Sequence, residues 1–178
     1  QPVFNSDQTK YILKSSDGRW IVYNTSDASP VGTVSIDATA EPIWSATNPD
    51  ELHHTVGYGG LIWYTRNVLT DTASVLCDFT SLLSAFTNPT RVWLRGGCPS
   101  ADGRYWAFSI ENDGFTHLGI VTWDKQTGNI VGTLTAASHG GGAPEWLSMA
   151  PSGSHVVISW FGANGTRSYN QALSSSIS

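Results

Sequence analysis

The stretch that decides the fold is SADGRYWAF, residues Ser100–Phe108. It joins a small polar tetrapeptide to a run rich in aromatic residues. Asp102-Gly103 is a dipeptide favoured in tight hairpin turns, where glycine takes a positive φ at little steric cost. Aromatic residues are enriched in β-strands. The stretch therefore predicts a turn, with Gly103 in the left-handed conformation, that leads into a strand.

The same combination recurs along the chain. Comparable turns centre on Asp7, Asp50, Asp102 and Ser152, at intervals of 43, 52 and 50 positions. A second signature, an aromatic residue that ends a short apolar run before polar residues, keeps the same phase. It occurs at Tyr23, Tyr64, Trp123 and Tyr169. A period of roughly 40 to 50 residues indicates a repeat protein, and it predicts units of four short antiparallel strands.

The predicted units are residues 1–40, 41–90, 91–140 and 141–178, of which the last is incomplete near its outermost strand. Helical periodicity is almost absent, and residues 79–86 are expected to form a single turn at most. Five tryptophans lie in apolar runs that read as strands, so we expect most of them to be buried. They are Trp20, Trp63, Trp106, Trp123 and Trp160.

The units resemble the blades of TolB-like and WD40-like β-propeller repeats. The segments SADG (residues 100–103) and WDKQTG (residues 123–128) carry the resemblance best, whereas residues 47–49 and 170–172 depart from the pattern. The resemblance implies an all-β propeller with about four blades, as part of a larger ring. It does not imply one function, because propellers include binding platforms, scaffolds and enzymes.

The number of units has a consequence for assembly. Propellers of this repeat type commonly have six to eight blades, and an open arc of four would expose the apolar flanks of its end blades. We therefore expect that the chain is not a free monomer. It is either a fragment of a longer propeller, or it closes against copies of itself or a second chain. A tight four-bladed ring is the alternative.

Composition and charge narrow the range of partners. Only 13% of the residues are charged and the net charge is −5, with no basic run that could bind a row of phosphates, so nucleic acid is excluded as a partner. No apolar run approaches the roughly 20 residues that cross a bilayer as a helix. The sequence begins at Gln1 without a signal peptide, which suggests a secreted, extracellular or periplasmic protein whose leader has been removed.

Several residues bear on processing and on metal binding. Cys77 and Cys98 are compatible with one disulfide, or with two free thiols. Asn24 and Asn164 lie in tripeptides that accept glycans in a eukaryotic secretory pathway. No Cys/His cluster indicates a metal site, and no motif indicates a cofactor.

Four residues are candidates for catalysis. Arg95 precedes two glycines at the end of a predicted inner strand, and it could bind a carboxylate in bidentate fashion. His139 opens a glycine-rich connector before another inner strand. His53 and His54 are adjacent on a predicted strand, so they point to opposite faces and cannot share one metal ion. A structural or surface role for each histidine is the alternative interpretation.

Trp44, Trp93 and Trp146 recur near the innermost strands, where they either pack between blades or stack on sugar rings. The sequence thus favours an extracellular, non-catalytic propeller module that binds a partner or a glycan, or that builds an assembly. The alternative is part of a propeller-fold carbohydrate-active enzyme such as a polysaccharide lyase. That alternative would need a cationic cleft, and the chain has only nine Lys and Arg residues.

Overall fold

The computed structural model describes residues 2–139, 142–160 and 165–177. Within this part of the chain there are sixteen β-strands and one short helix. The chain divides into two compact units, Gln1–Asp78 and Phe79–Ser178. Each unit contains two four-stranded antiparallel sheets, whose strands follow one another in chain order. We number the four sheets as blades 1 to 4 along the chain.

Unit 1 contains blades 1 and 2. The strands of blade 1 are β1 (Val3–Phe4), β2 (Lys10–Lys14), β3 (Trp20–Asn24) and β4 (Pro30–Val34). Those of blade 2 are β5 (Ile43–Trp44), β6 (Glu51–Thr55), β7 (Ile62–Asn67) and β8 (Ala73–Asp78).

Unit 2 contains blades 3 and 4. The strands of blade 3 are β9 (Arg91–Trp93), β10 (Tyr105–Glu111), β11 (His117–Asp124) and β12 (Asn129–Thr135). The helix α1 (Ala136–His139) follows blade 3. The strands of blade 4 are β13 (Pro144–Met149), β14 (His155–Trp160), β15 (Thr166–Asn170) and β16 (Ser176–Ile177).

The prediction of four blades, each with four antiparallel strands, is confirmed. Blade 4 ends in a short fourth strand, β16. One local detail differs from expectation, since a helical turn that ends at His139 stands at the start of the glycine-rich connector. Residues 79–86 form hydrogen-bonded turns, in which the amides of Leu82 and Phe86 donate to the carbonyls of Phe79 and Leu83. This agrees with the expected absence of a regular helix there.

The core of each unit lies between its two sheets and follows from the alternation of side chains along each strand. In unit 1, Ile12 and Val22 of blade 1 form one buried cluster with Trp44 and Leu52 of blade 2. In unit 2 a corresponding cluster joins residues of both blades, namely Ala107, Ile120, Leu134, Leu147, Met149, Val156, Ile158, Trp160, Tyr169 and Leu173. Burial of these side chains supplies most of the driving force for pairing the sheets.

A second aromatic core lies on the other face of blade 3. The rings of Trp106 and Phe108 stack at a centroid distance of 5.8 Å, and Phe79 and Trp123 meet them edge to face. Of the five tryptophans that we expected to be buried, four are buried and Trp20 is half-buried. Gly103 has a φ of 69°, as its turn requires. Both predictions are confirmed.

The connection between β9 and β10 extends along blade 4. The amide of Met149 donates to the Cys98 carbonyl at 3.1 Å, and the amide of Ala101 donates to the Pro151 carbonyl at 3.0 Å. A Cβ on Gly97 would lie 1.5 Å from the carbonyl oxygen of Leu147, so only glycine fits there. The two backbones therefore approach closely after Arg95, and the β9–β10 connection supplies a backbone acceptor to the inner strand of blade 4.

Candidate functional site

Two of the predicted catalytic candidates, Arg95 and His139, belong to the same buried hydrogen-bonded network in unit 2. We call this network the polar chain, and it consists of Arg95, Glu111, Ser109, His117 and His139. Its two ends come from connections and its middle comes from strands β10 and β11. The two end residues are among the four catalytic candidates predicted from the sequence, which assigned no catalytic role to the three residues between them.

Local strand geometry explains how the middle of the polar chain is built. Ser109 and Glu111 are two positions apart on β10, so their side chains point to the same face. His117 pairs with Glu111 across a bulge that shifts the register between Ile110 and Glu111. A bulge re-aims the side chains next to it. This one sets His117 within reach of Ser109.

The contacts of the polar chain begin at the guanidinium of Arg95 and end at the two imidazoles of His117 and His139. A guanidinium N–H of Arg95 donates to Oε1 of Glu111, whose side chain is fully buried. The Ser109 hydroxyl lies 3.4 Å from Glu111 Oε1 and 3.1 Å from His117 Nδ1. His117 Nε2 then lies 3.2 Å from His139 Nε2. A buried carboxylate needs such a charged partner, because burial without one is very unfavourable.

Ser109 has one hydroxyl proton, so the direction in which it donates fixes the tautomers of both histidines in the polar chain. If Ser109 donates to Glu111, then His117 must present its N–H at Nδ1 and accept at Nε2 from His139. If Ser109 donates to His117, both histidines reverse their tautomers. The polar chain can therefore hold its protons in two arrangements. Conversion of the first into the second moves a proton from His139 Nε2 to His117 Nε2, removes one from His117 Nδ1 and adds one at His139 Nδ1.

Both histidines are tuned toward the neutral form. Burial, with smaller contributions from His139 and Arg95, lowers the pKa of His117 to about 4. Burial also lowers the pKa of His139, and the positive charge of Arg167 adds to that effect. At neutral pH the Nε2–Nε2 hydrogen bond therefore joins two neutral imidazoles, of which one donates and the other accepts.

Aromatic rings enclose both ends of the polar chain. The Trp160 ring lies 4.1 Å from the His139 ring, centroid to centroid, and 6.2 Å from that of His117. At the other end, the Arg95 guanidinium lies 4.2 Å from the centroid of the Trp93 ring. Within the polar chain, three buried atoms have no hydrogen-bond partner among the described residues: Arg95 Nε, Glu111 Oε2 and His139 Nδ1. They could bind a small polar molecule such as water.

The other two catalytic candidates lie in unit 1 and have partners of their own. His53 Nδ1 lies 3.0 Å from the Thr65 hydroxyl. His54 Nδ1 lies 3.0 Å from the Thr55 carbonyl, and its Nε2 accepts from Arg66 Nε at 3.4 Å. Burial lowers the pKa of His54. These contacts favour a structural role for both residues. No group of three His, Cys, Asp or Glu side chains suitable for a metal ion occurs among the described residues.

The three tryptophans proposed as sugar platforms differ in exposure. Trp44 is in the core of unit 1, and its indole N–H donates to the Val3 carbonyl at 2.8 Å. Trp93 is half-buried under Arg95. Trp146 is 40% exposed, and its indole N–H is 3.2 Å from the Gly96 carbonyl. Packing explains Trp44, and Trp146 is the most exposed of the three tryptophans.

Trp146 stands at the edge of an apolar groove of about 540 Å³ in unit 2. The groove is lined chiefly by apolar residues, which include Pro99, Met149, Pro151 and Val157. It runs between the β9–β10 connection and the face of β14 that points away from blade 3. We call this feature the apolar groove.

The modification candidates have simpler outcomes. Cys77 and Cys98 are both free thiols, the first half-buried and the second exposed. The Asn24 side chain is half-buried and donates to the Ser29 hydroxyl at 3.0 Å. Asn164 lies outside the described residues. Among the described residues, no helix has the length and apolar character needed to cross a bilayer.

Comparison with known proteins gives one kind of match. No protein-family model and no curated protein sequence matches the chain. Among solved structures it is similar to the β-propeller domain of Cps50 (Swd1) from Myceliophteria thermophila, with a TM-score of 0.59 and 14% sequence identity. The similarity covers 94% of this chain and 51% of that one, so the chain spans about half the length of that propeller. The fold is that of a WD40-like β-propeller. At this level of identity the likeness concerns the fold alone.

Proposed function

We propose that this chain is a non-catalytic β-propeller module that binds a partner protein in the apolar groove. The observation that carries the proposal is the exposed Trp146 beside that groove. Tryptophan is enriched at protein interfaces, and a few well-packed aromatic anchors commonly supply most of the binding energy. A groove with this lining suits an extended segment that inserts apolar side chains.

The polar chain supports the non-catalytic part of the proposal. A lyase would use Arg95 to bind an acidic sugar, but the guanidinium of Arg95 already pairs with Glu111 inside the unit. An incoming carboxylate would have to compete with the fully buried Glu111 for this guanidinium. Removing one partner from a buried ion pair typically costs about 3–5 kcal/mol. The network therefore suits the stabilisation of unit 2 better than it suits the binding of a charged substrate.

A glycan is the second candidate ligand, because the exposed face of Trp146 could also stack on a sugar ring. The apolar lining argues for protein, since sugar sites also need converging polar groups. The extracellular or periplasmic location predicted from the sequence is part of the proposal, and cell fractionation of the native source tests it.

Screening the purified chain against a phage-displayed peptide library and a glycan array tests the choice of ligand. Val157→Glu places a charge in the groove, and Val75→Glu places the same charge on an exposed position of β8 as a matched control. We expect peptides with an apolar consensus that bind the wild type and Val75→Glu, but not Val157→Glu.

Other outcomes would overturn the proposal in distinct ways. Glycans that bind the wild type and are lost in Trp146→Ala, without peptide binding, would identify a carbohydrate module. Formation of unsaturated uronate ends, followed by ultraviolet absorbance and abolished by Arg95→Ala or His139→Ala, would identify a lyase. Failure of every probe to bind a chain that is also monomeric would reject the groove as a binding surface.

A further inference from the structure

The two faces of each blade have different roles in the described packing. Ile12 and Val22 of blade 1 are completely buried against blade 2, so we call the face that carries them the leading face of the blade. The opposite face receives the preceding blade, and we call it the trailing face. In blade 4, the trailing face is represented by Val156, which is completely buried in the cluster shared with blade 3.

The trailing face of blade 1 carries an aromatic stack. Phe4 pairs with Tyr11, and Tyr11 pairs with Tyr23, across strands β1, β2 and β3. The rings of Phe4 and Tyr11 are 5.7 Å apart, and those of Tyr11 and Tyr23 are stacked at 5.2 Å. Phe4 is 52% exposed, and both tyrosines are half-buried. These three rings form a partly exposed aromatic surface at the start of unit 1.

Strand register identifies the equivalent residues in blade 4. There Met149 pairs with Val156, and Val156 pairs with Tyr169, in the same positions of the first three strands. These three residues are only 3%, 0% and 7% exposed, because blade 3 covers them. The aromatic stack of blade 1 therefore occupies positions that a neighbouring blade buries elsewhere in this chain.

The leading face of blade 4 has the complementary property. Val157 is adjacent to Val156 on β14 and points to the opposite face, as Ile12 does beside Tyr11 on β2. Ile12 is completely buried by the next blade, whereas Val157 is half-buried and lines the apolar groove. One chain thus carries both halves of a blade-to-blade contact.

Building on the proposed function, we propose that the partner in the apolar groove is a second copy of this chain, docked by the Phe4–Tyr11–Tyr23 face of its blade 1. Such a contact is heterologous, since different surfaces meet, and two such contacts close a dimer. The contact repeats the packing found between blades within each unit. The propeller to which the chain is similar is about twice as long, so two copies would supply a comparable number of blades.

Sedimentation velocity on the 178-residue chain tests this proposal. The wild type is expected at twice the chain mass of 19.1 kDa. Tyr11→Glu disables the trailing face of blade 1, and Val157→Glu disables the leading face of blade 4. Each variant alone is expected to sediment as a monomer, while Val75→Glu remains a dimer. Urea midpoints for all variants establish that they are folded.

Mixing the two monomeric variants distinguishes a heterologous contact from a symmetric one. Tyr11→Glu retains its leading face and Val157→Glu retains its trailing face, so an equimolar mixture is expected to form a dimer through one intact contact. A wild-type monomer at 100 µM, a mixture that stays monomeric, or an open series of larger species would each overturn the two-copy closure. If apolar peptides still bind the groove of a monomeric wild type, the interaction function stands and only the choice of partner fails.

Discussion

His117 and His139 face each other through their Nε2 atoms, 3.2 Å apart, with the Trp160 ring beside both. One Nε2 has to donate and the other has to accept. The contact is therefore compatible with two neutral rings or with one protonated ring, and it is incompatible with two protonated rings. Protonation of His117 is unfavourable, because its ring is buried and lies near Arg95.

The first prediction follows for the dependence of stability on pH. The pKa of His117 is about 4 in the folded chain and about 6.5 when unfolded, so the unfolded state takes up the proton first as the pH falls. The contribution of neutral His117 to the free energy of unfolding is complete above pH 6.5 and is lost as the pH approaches 4. Between pH 7.5 and 4.5 we expect a loss of about 2–3 kcal/mol from this group. Urea denaturation at a series of pH values measures it.

His117→Gln is the control for this experiment, because it removes the titration while retaining a polar side chain. Carboxylates also titrate at acidic pH, so the informative quantity is the difference between the two pH profiles. The pKa assigned to His117 would be contradicted by parallel profiles for the wild type and the variant.

The second prediction concerns the close approach of two backbones in unit 2. A Cβ at Gly97 would overlap the Leu147 carbonyl, whereas a Cβ at Gly32 of β4 would meet nothing within 4 Å. Gly97→Ala is therefore expected to cost at least about 2 kcal/mol, and Gly32→Ala less than about 0.5 kcal/mol. Equal urea midpoints for the two variants would show that the β9–β10 connection can move away from β13.

The third prediction separates core tryptophans from surface tryptophans. Trp106 is buried between Phe108 and Trp123, and Trp146 lies at the edge of the apolar groove. Trp106→Ala is expected to cost about 3–5 kcal/mol, whereas Trp146→Ala should cost less than about 1 kcal/mol. Measurements at low micromolar concentration limit any contribution from self-association. A larger loss for Trp146→Ala would contradict the assigned cores.

The fourth prediction concerns the two thiols. Burial, with a contribution from Asp78, raises the pKa of Cys77 to about 11, so very little thiolate is present at pH 8. Cys77 should react with an aromatic disulfide reagent on the order of 100-fold more slowly than free cysteine. Cys98 is exposed and is expected to react first. The Cys98→Ser variant isolates the slow phase. Fewer than two reactive thiols in the denatured, non-reduced chain would instead indicate a disulfide.

The blade repeat could be predicted from the sequence because its signals are local. A turn such as Asp102-Gly103 and an aromatic strand end such as Trp123 occur within a few residues of their structural consequence. Burial of Trp106 and Trp123 follows from the same alternation. The helical turn Ala136–His139 lacks such a signal, because four residues carry no periodicity that can be recognised.

The polar chain could be predicted only in part. Arg95 and His139 were recognised through their neighbouring glycines, but their connection depends on Glu111 and His117, which come together across a bulge. Which residues of β10 and β11 lie opposite each other is set by tertiary packing, and the sequence of one strand alone does not predict it. A signal did exist, since Ser109 and Glu111 interrupt the apolar strand YWAFSIE on one face. Polar residues on a face that packs against another sheet require buried partners.

The segment 97–101 has a consequence for how unit 2 opens. This segment lies between two strands of blade 3, yet two of its backbone hydrogen bonds are to blade 4. The Met149 amide donates to the Cys98 carbonyl, and the Ala101 amide donates to the Pro151 carbonyl. Amide exchange at Met149 therefore requires displacement of the connection between two strands of the preceding blade. Blades 3 and 4 should open together, with a shared free energy, as one cooperative exchange unit. In this chain the boundary between two repeats is consequently not a boundary between two independently unfolding elements.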